Sequence, residues 1–223
     1  MLLHIPGVLN TEQLATIRQL LERGRFVDGR LSAGMEASQV KHNEELAGDA
    51  PMVQQLNQIV MGNLVQNPLY QGAALPHRVA APFYARYTPG MGYGDHIDDP
   101  VMGQGDRYRT DLSITVFLNG PGDYEGGELV IRTGFGDQTV KLPAGDAVMY
   151  PSGSLHQVAE VTRGERLVAV TWVQSLVRDP GQREILFELY QARERLLRDR
   201  PGAEETKRVS RTYINLVRMW AEL

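Results

Sequence analysis

The 223-residue sequence has no cysteine, only two tryptophans and no surplus of positive charge. Without cysteine there can be no disulfide, thiolate zinc site, iron–sulfur cluster or thiol nucleophile, so any metal must be held by carboxylates and the five histidines, His4, His42, His77, His96 and His156. The formal net charge is -4, from 23 basic and 27 acidic residues, and the arginines form no run; a nucleic-acid partner is not expected. No stretch approaches the roughly 18 apolar residues of a membrane span, and the start Met1-Leu2-Leu3-His4-Ile5-Pro6-Gly7 has neither a basic leader nor an apolar signal core. The expectation is a cytoplasmic protein with no membrane partner. Gly-x-Ser-x-Gly and Walker A motifs are absent, and Gly90, Gly92 and Gly94 have the wrong spacing for a dinucleotide loop.

What is present falls into three textures. In residues 1–77, Asn10 and Gln13 have the spacing of a capping box, and Leu14, Ile17, Leu20 and Leu21 predict a helix from Thr11 to Arg23. Phe26 to Arg30 reads as a short strand entering an Asp-Gly turn, and Pro51 to Gln66 as a second helix with Leu56, Ile59, Val60 and Leu64 inward, ended by Asn67-Pro68. Residues 78–175 hold eight runs rich in Val, Ile, Tyr, Phe and Thr, separated by Gly and Pro turns. The predicted strands are Val79–Tyr87, Tyr93–Asp98, Thr110–Leu118, Glu128–Thr133, Gln138–Leu142, Ala147–Tyr150, His156–Val161 and Leu167–Gln174. Strands this closely spaced leave no room for crossover helices, so the core is expected to be an antiparallel jelly roll, in a mainly β chain with flanking helices. Residues 176–223 return to helical spacing as two helices around Pro201-Gly202, and their apolar faces suggest a homodimer.

The chemistry centres on His96-Ile97-Asp98. On a strand, residues two apart share a face, so the imidazole and the carboxylate can reach one ion. Alone the pair is weak evidence. His156 opens a later strand, and two imidazoles with one carboxylate on one face leave open positions on an octahedral ion, the arrangement of non-haem Fe(II) enzymes that activate dioxygen. Arg166 begins the last strand, where a planar guanidinium can grip the far end of a dicarboxylate, 2-oxoglutarate, whose near end chelates the iron. The remaining histidines read as surface or packing residues, with His42 a weaker candidate for a substrate entrance. Asp99 is expected to face away from Asp98, and Asp99 to Tyr108 to form a mobile lid in which Arg107 and Arg109 pair with Asp106 and Asp111.

The runs Arg86 to Asp98, Gly126-Gly127-Glu128-Leu129, Pro143 to His156 and Thr162 to Arg166 resemble the prolyl-4-hydroxylase-type Fe(II)/2-oxoglutarate dioxygenases, and more narrowly the bacterial PKHD-type hydroxylases. The start Leu3 to Leu9 and the tail around Phe187-Glu188-Leu189 resemble that subfamily too. The resemblance implies a double-stranded β-helix, His96, Asp98 and His156 as iron ligands, Arg166 as the 2-oxoglutarate anchor, and Tyr87 in the place of a tyrosine that bonds the co-substrate; a core aromatic is the other reading of Tyr87. It implies L-ascorbate as a reductant, a link to iron uptake, and, because Asp98 is present, hydroxylation rather than halogenation. The substrate is left open between a peptidyl side chain and a small molecule. Two other readings keep the same residues: a noncatalytic iron or 2-oxoglutarate sensor, and a hydrolase using another metal, which a dicarboxylate-binding Arg166 disfavours.

Overall fold

A computed structural model describes every residue except Asp49 and Gln104. Its N-terminal part runs β1 (Leu3–Ile5), α1 (Thr11–Glu22), β2 (Phe26–Asp28), a 3-10 turn (Gly29–Ser32), α2 (Ala37–Val40), β3 (Lys41–His42), β4 (Glu44–Leu46), α3 (Ala50–Leu64) and α4 (Pro68–Ala74). The strand-rich part follows as β5 (Pro76–Val79), β6 (Phe83–Tyr87), β7 (Gly92–His96), β8 (Val101–Met102), β9 (Tyr108–Arg109), β10 (Leu112–Phe117), β11 (Tyr124–Gly126), β12 (Leu129–Thr133) and β13 (Gly136–Val140). It closes with β14 (Ala147–Pro151), β15 (His156–Val158), β16 (Val161–Gly164) and β17 (Arg166–Ser175), before α5 (Pro180–Asp199) and α6 (Glu204–Trp220).

Two antiparallel sheets face each other in a double-stranded β-helix. The larger has the order β1-β14-β10-β17-β6-β4-β2, with β5 also on β17, and the smaller β13-β12-β15-β7-β3. Period-two alternation sorts the larger sheet's side chains into two cores. Leu112, Ile114 and Val116 of β10, Ala147 and Met149 of β14 and Leu167, Ala169 and Val173 of β17 pack under Ile17 and Leu21 of α1 and Leu56, Val60 and Leu64 of α3. Their neighbours Phe117, Val148, Tyr150 and Val168 turn inward to meet Leu129, Ile131 and Val158 of the smaller sheet. Because helices cover one face and the second sheet the other, β10 is buried at all six positions, the polar Ser113 and Thr115 included.

The local signals explain most boundaries. Asn10 and Gln13 form the reciprocal capping box at the start of α1. Asn67-Pro68 ends α3, as expected, and also starts α4: the Asn67 side chain accepts from the Leu69 and Tyr70 amides, and Pro68 occupies the first turn. The run expected as one strand, Val79–Tyr87, is two, because β17 pairs Val79 with Val173 but Phe83 with Val170, four residues against three. The intervening Ala80-Ala81-Pro82 bulges, where Pro82 has no amide to give the ladder. Asp28-Gly29 makes no hairpin; Asp28 caps the 3-10 turn through the Arg30 amide, and β2 pairs with β4 instead.

The first 77 residues are not only a helical cover. β1, β2 and β4 extend the larger sheet and β3 the smaller, so His4 lies in a strand, as does His77 on β5. His4 and the Gly7 amide bond the Asp146 carboxylate, and Gly145 beside it adopts φ +90°, where a Cβ would stand 2.3 Å from the Leu9 carbonyl oxygen; only glycine allows that approach. At the other end the apolar faces of α5 and α6 close on each other and on Leu75 and Val177, with Tyr213, Leu216, Val217 and Trp220 packed there. This uses much of the surface on which a second copy was expected to dock.

Candidate active site

His96 ends β7 and His156 opens β15; the two are directly paired across the smaller sheet. Asp98 lies two residues beyond β7. Its Oδ1 is 3.8 Å from Nε2 of His96 and 3.9 Å from Nε2 of His156, and one ligand atom from each of the three residues lies within 4.8 Å of the others. A set of two imidazole nitrogens and one carboxylate oxygen this close together could be shared by one divalent ion. In each imidazole Nδ1 faces a backbone carbonyl, Gly94 at 2.8 Å and Ser154 at 2.9 Å. A carbonyl can only accept, so Nδ1 carries the proton and the Nε2 lone pairs point toward Asp98, the tautomer a metal needs. Burial and the neighbouring His156 push His96 down to about 4, so it is neutral at pH 7.

The carboxylate is fixed as firmly as the rings. Its Oδ2 accepts from Ser113 Oγ and from the Trp172 indole N–H at 2.9 Å, and Ser113 Oγ lies 2.7 Å from Ser152 Oγ. With Oδ2 bound twice, Oδ1 is the oxygen left for an ion. Tyr93 stacks on His96 with ring centroids 3.6 Å apart, and Tyr150 meets His156 edge-on at 5.1 Å. Sequence reasoning missed these supports. Trp172 was accessible to it, since 166, 168, 170 and 172 share one face of β17; Ser113 and Ser152 were not, because nothing in their local sequence marks them.

Arg166 is the first residue of β17, paired with Tyr87 at the end of β6. It is 1% exposed, and its Nε and Nη1 have no hydrogen-bond partner. The guanidinium lies 5.0 Å from the Tyr87 ring centroid and 5.7 Å from that of Phe117, and no carboxylate forms an ion pair with it among the described residues. Burial raises the Tyr87 phenol above its ordinary value, so it stays a neutral donor. Gly127 makes room for the arginine: at φ +67°, a Cβ there would stand 3.1 Å from Arg166 Cδ.

These groups share one cavity of about 790 Å³, with Arg166 and Tyr87 on the larger sheet's wall and the His-Asp-His group on the other. Its N-terminal wall was not foreseen. Lys41, Asn43 and Glu45 line it, whereas His42 points away, exposed. Lys41 Nζ donates to Glu45 and, at 3.0 Å, to Ser32 Oγ, and sits 5.4 Å from the Tyr93 ring centroid. Asp99 also lines the cavity, contrary to the expectation that it faces away: β7 ends at His96, and strand alternation does not extend beyond it. In place of the expected irregular loop, β8 and β9 form a short hairpin whose Val101, Met102 and Tyr108 line the opening; Gln104 lies outside the described residues. Arg109 pairs with Asp111 at 2.7 Å, as expected, while Arg107 has no ion pair among the described residues.

A double-stranded β-helix holding a His-Asp-His group and a buried arginine in one cavity defines the architecture of the 2-oxoglutarate/Fe(II) oxygenases. The model of that superfamily matches residues 82–174, and the model of the PKHD-type hydroxylase C-terminal domain matches residues 180–222. Over 100% of both chains the sequence is 57% identical to a PKHD-type hydroxylase of Thioalkalivibrio sulfidiphilus and 46% identical to one of Pseudomonas fluorescens. Among solved structures, a prolyl-4-hydroxylase of Pseudomonas putida shares 21% identity at TM-score 0.53, covering 78% of this chain and 92% of that one. HygX of Streptomyces hygroscopicus, solved with nickel, 2-oxoglutarate and hygromycin B, shares 16% at TM-score 0.55, covering 79% and 84%. At these identities the solved structures establish the shared fold.

The chain belongs to the PKHD-type hydroxylases. It is therefore an enzyme, an Fe(II)- and 2-oxoglutarate-dependent dioxygenase, and the sensor and hydrolase readings give way.

Proposed function

We propose that His96 and His156 through Nε2 and Asp98 through Oδ1 hold the Fe(II), that Arg166 with Tyr87 holds the far carboxylate of 2-oxoglutarate, and that the reaction hydroxylates a substrate entering from the opening beside Asp99. The observation that carries this reading is the Arg166 guanidinium, buried with two nitrogens unpartnered. An isolated buried cation is costly, and a dicarboxylate supplies the missing charge and acceptors. When bound, the iron supplies the means of activating dioxygen; overall, a substrate C–H, O2 and 2-oxoglutarate give C–OH, succinate and CO2. The protein's own part is to hold the ligands in one tautomer and orientation, to keep Asp98 bound through one oxygen, and to fix the co-substrate between the sheets while leaving the outer cavity to the substrate.

L-Ascorbate belongs to this proposal as a reductant needed for sustained turnover, and so does a role in iron uptake or homeostasis. Among the described residues no helix is long and apolar enough to cross a membrane; a cytoplasmic location is part of the same reading. So is a homodimer through the exposed Ile185, Ile214 and Met219, which light scattering at the 24.9 kDa mass of one chain would remove. The central test is 2-oxoglutarate turnover: the iron-loaded protein is expected to form succinate, and Arg166→Gln to lose both succinate and 2-oxoglutarate binding. Unchanged 2-oxoglutarate affinity in Arg166→Gln would refute the assignment.

A further inference from the structure

Among the described residues, the charges lining the cavity cancel in pairs, with one exception. Lys41 is neutralised by Glu45. On the reading above, on which this inference rests, Arg166 is matched by the far carboxylate of 2-oxoglutarate and Asp98 by the metal. Asp99 is left over. Among the described residues no lysine, arginine or histidine forms an ion pair with it, and its oxygens face Gly34 across the opening, 3.4 and 3.5 Å from where a Cβ would stand on that glycine.

Asp99 is itself exposed, and several large apolar side chains line the cavity it borders. Leu31, Phe83, Ile97 and Val101 line the same cavity and are 80%, 40%, 55% and 53% exposed, a collar of large hydrophobic side chains left in water. Trp172 meets Phe83 edge-on at 5.7 Å and, with Tyr108, adds aromatic surface. Among the described residues that line this outer wall, none is basic and so placed to receive an anion. A carboxylate without a partner, set among apolar and aromatic groups, selects for an organic cation: the charge is attracted to Asp99, the skeleton buries against the collar, and aromatic faces favour the positive end.

We propose that the substrate is a protonated amine carried on an apolar skeleton, its ammonium docked at Asp99. Asp99 directly follows Asp98, with Cα atoms about 3.8 Å apart, so the cation sits beside the His-Asp-His group and the oxidised C–H lies on the part of the skeleton near the nitrogen.

Three molecules of similar shape test this: phenethylamine, the neutral 2-phenylethanol and the anionic 3-phenylpropionate. Their binding is measured without oxygen by calorimetry on the full chain loaded with Mn(II) and 2-oxoglutarate. The amine is expected to bind about five-fold tighter than the alcohol and the carboxylate weakest, with the preference falling as salt rises. It should vanish in Asp99→Asn and persist in Asp106→Asn, which removes a carboxylate from the same hairpin. The inference is overturned if the carboxylate binds as well as the amine, if Asp99→Asn leaves the order unchanged, if Asp106→Asn abolishes the preference equally, or if nothing binds at about 10 mM. Failure of 2-oxoglutarate itself to bind would overturn the functional reading and this inference together, whereas intact 2-oxoglutarate binding without amine preference overturns this inference alone.

Discussion

Replacing Ser113 by alanine removes one hydroxyl from the second layer of the site and tests whether that layer aims the metal-binding carboxylate. Ser113 is fully buried on β10; its Oγ donates to Asp98 Oδ2 and meets Ser152 Oγ at 2.7 Å. A hydrogen bond to a charged group contributes about 1.5–3 kcal/mol. If that energy goes into holding Asp98 in its binding orientation, its loss weakens metal binding roughly 10- to 100-fold, the range typical of outer-layer partners. The Trp172 N–H, still 2.9 Å from the same oxygen, keeps the loss toward the lower end. Ser152→Ala removes only the neutral neighbour and should weaken metal binding by a few-fold at most, so the two variants separate a direct from a relayed effect. Anaerobic competition titration of Mn(II) reads the affinity, with circular dichroism confirming the fold. Affinity within two-fold of the parent in Ser113→Ala, or an equal loss in Ser152→Ala, would refute the reasoning.

Two further outcomes follow from buried charge. Arg166→Met should abolish 2-oxoglutarate binding yet leave the ligand-free protein as stable or more so, since it replaces an unpartnered buried cation with an apolar chain of similar length; a Tm drop of more than about 5 °C would show that the guanidinium stabilises the empty fold. The metal-free protein should lose stability as pH falls from 6.5 toward 4. His96 stays neutral down to about 4 in the fold but takes up a proton near 6.5 when unfolded, so the unfolded state gains protons first, at a cost of at most about 3 kcal/mol. In His96→Gln that part of the pH slope should disappear, and an unchanged slope in denaturant titrations would place its origin elsewhere.

Local chemistry made much of the fold legible. The capping box at Asn10 and the strand runs that became β14 and β17 are decisions made within a few residues, and they appear within a residue of the expected bounds. At the site, the spacing of His96 and Asp98 and the place of Arg166 at the start of the last strand were visible in the chain, whereas the pairing of Arg166 with Tyr87 of β6 belongs to the sheet. Legibility failed where a partner distant in sequence decides the outcome. β3 and β4 are two and three residues long, too short to show a period, and exist because β7 and β6 offer open edges. The split between β5 and β6 depends on a bulge against β17.

By itself, then, the sequence determined which residue types were available for chemistry: no thiol, five imidazoles, and one His-x-Asp pair at the end of a strand. Only the tertiary structure decided how they act. It placed His156 opposite His96, turned both Nε2 atoms to one carboxylate oxygen, buried Arg166 without a counter-ion, and brought Lys41, Asn43 and Glu45 from before the core into its wall. The physical reason is range: alternation and capping act over two to four residues, whereas desolvation and hydrogen-bond partnership depend on what the folded chain brings within a few ångströms, whatever its distance in sequence.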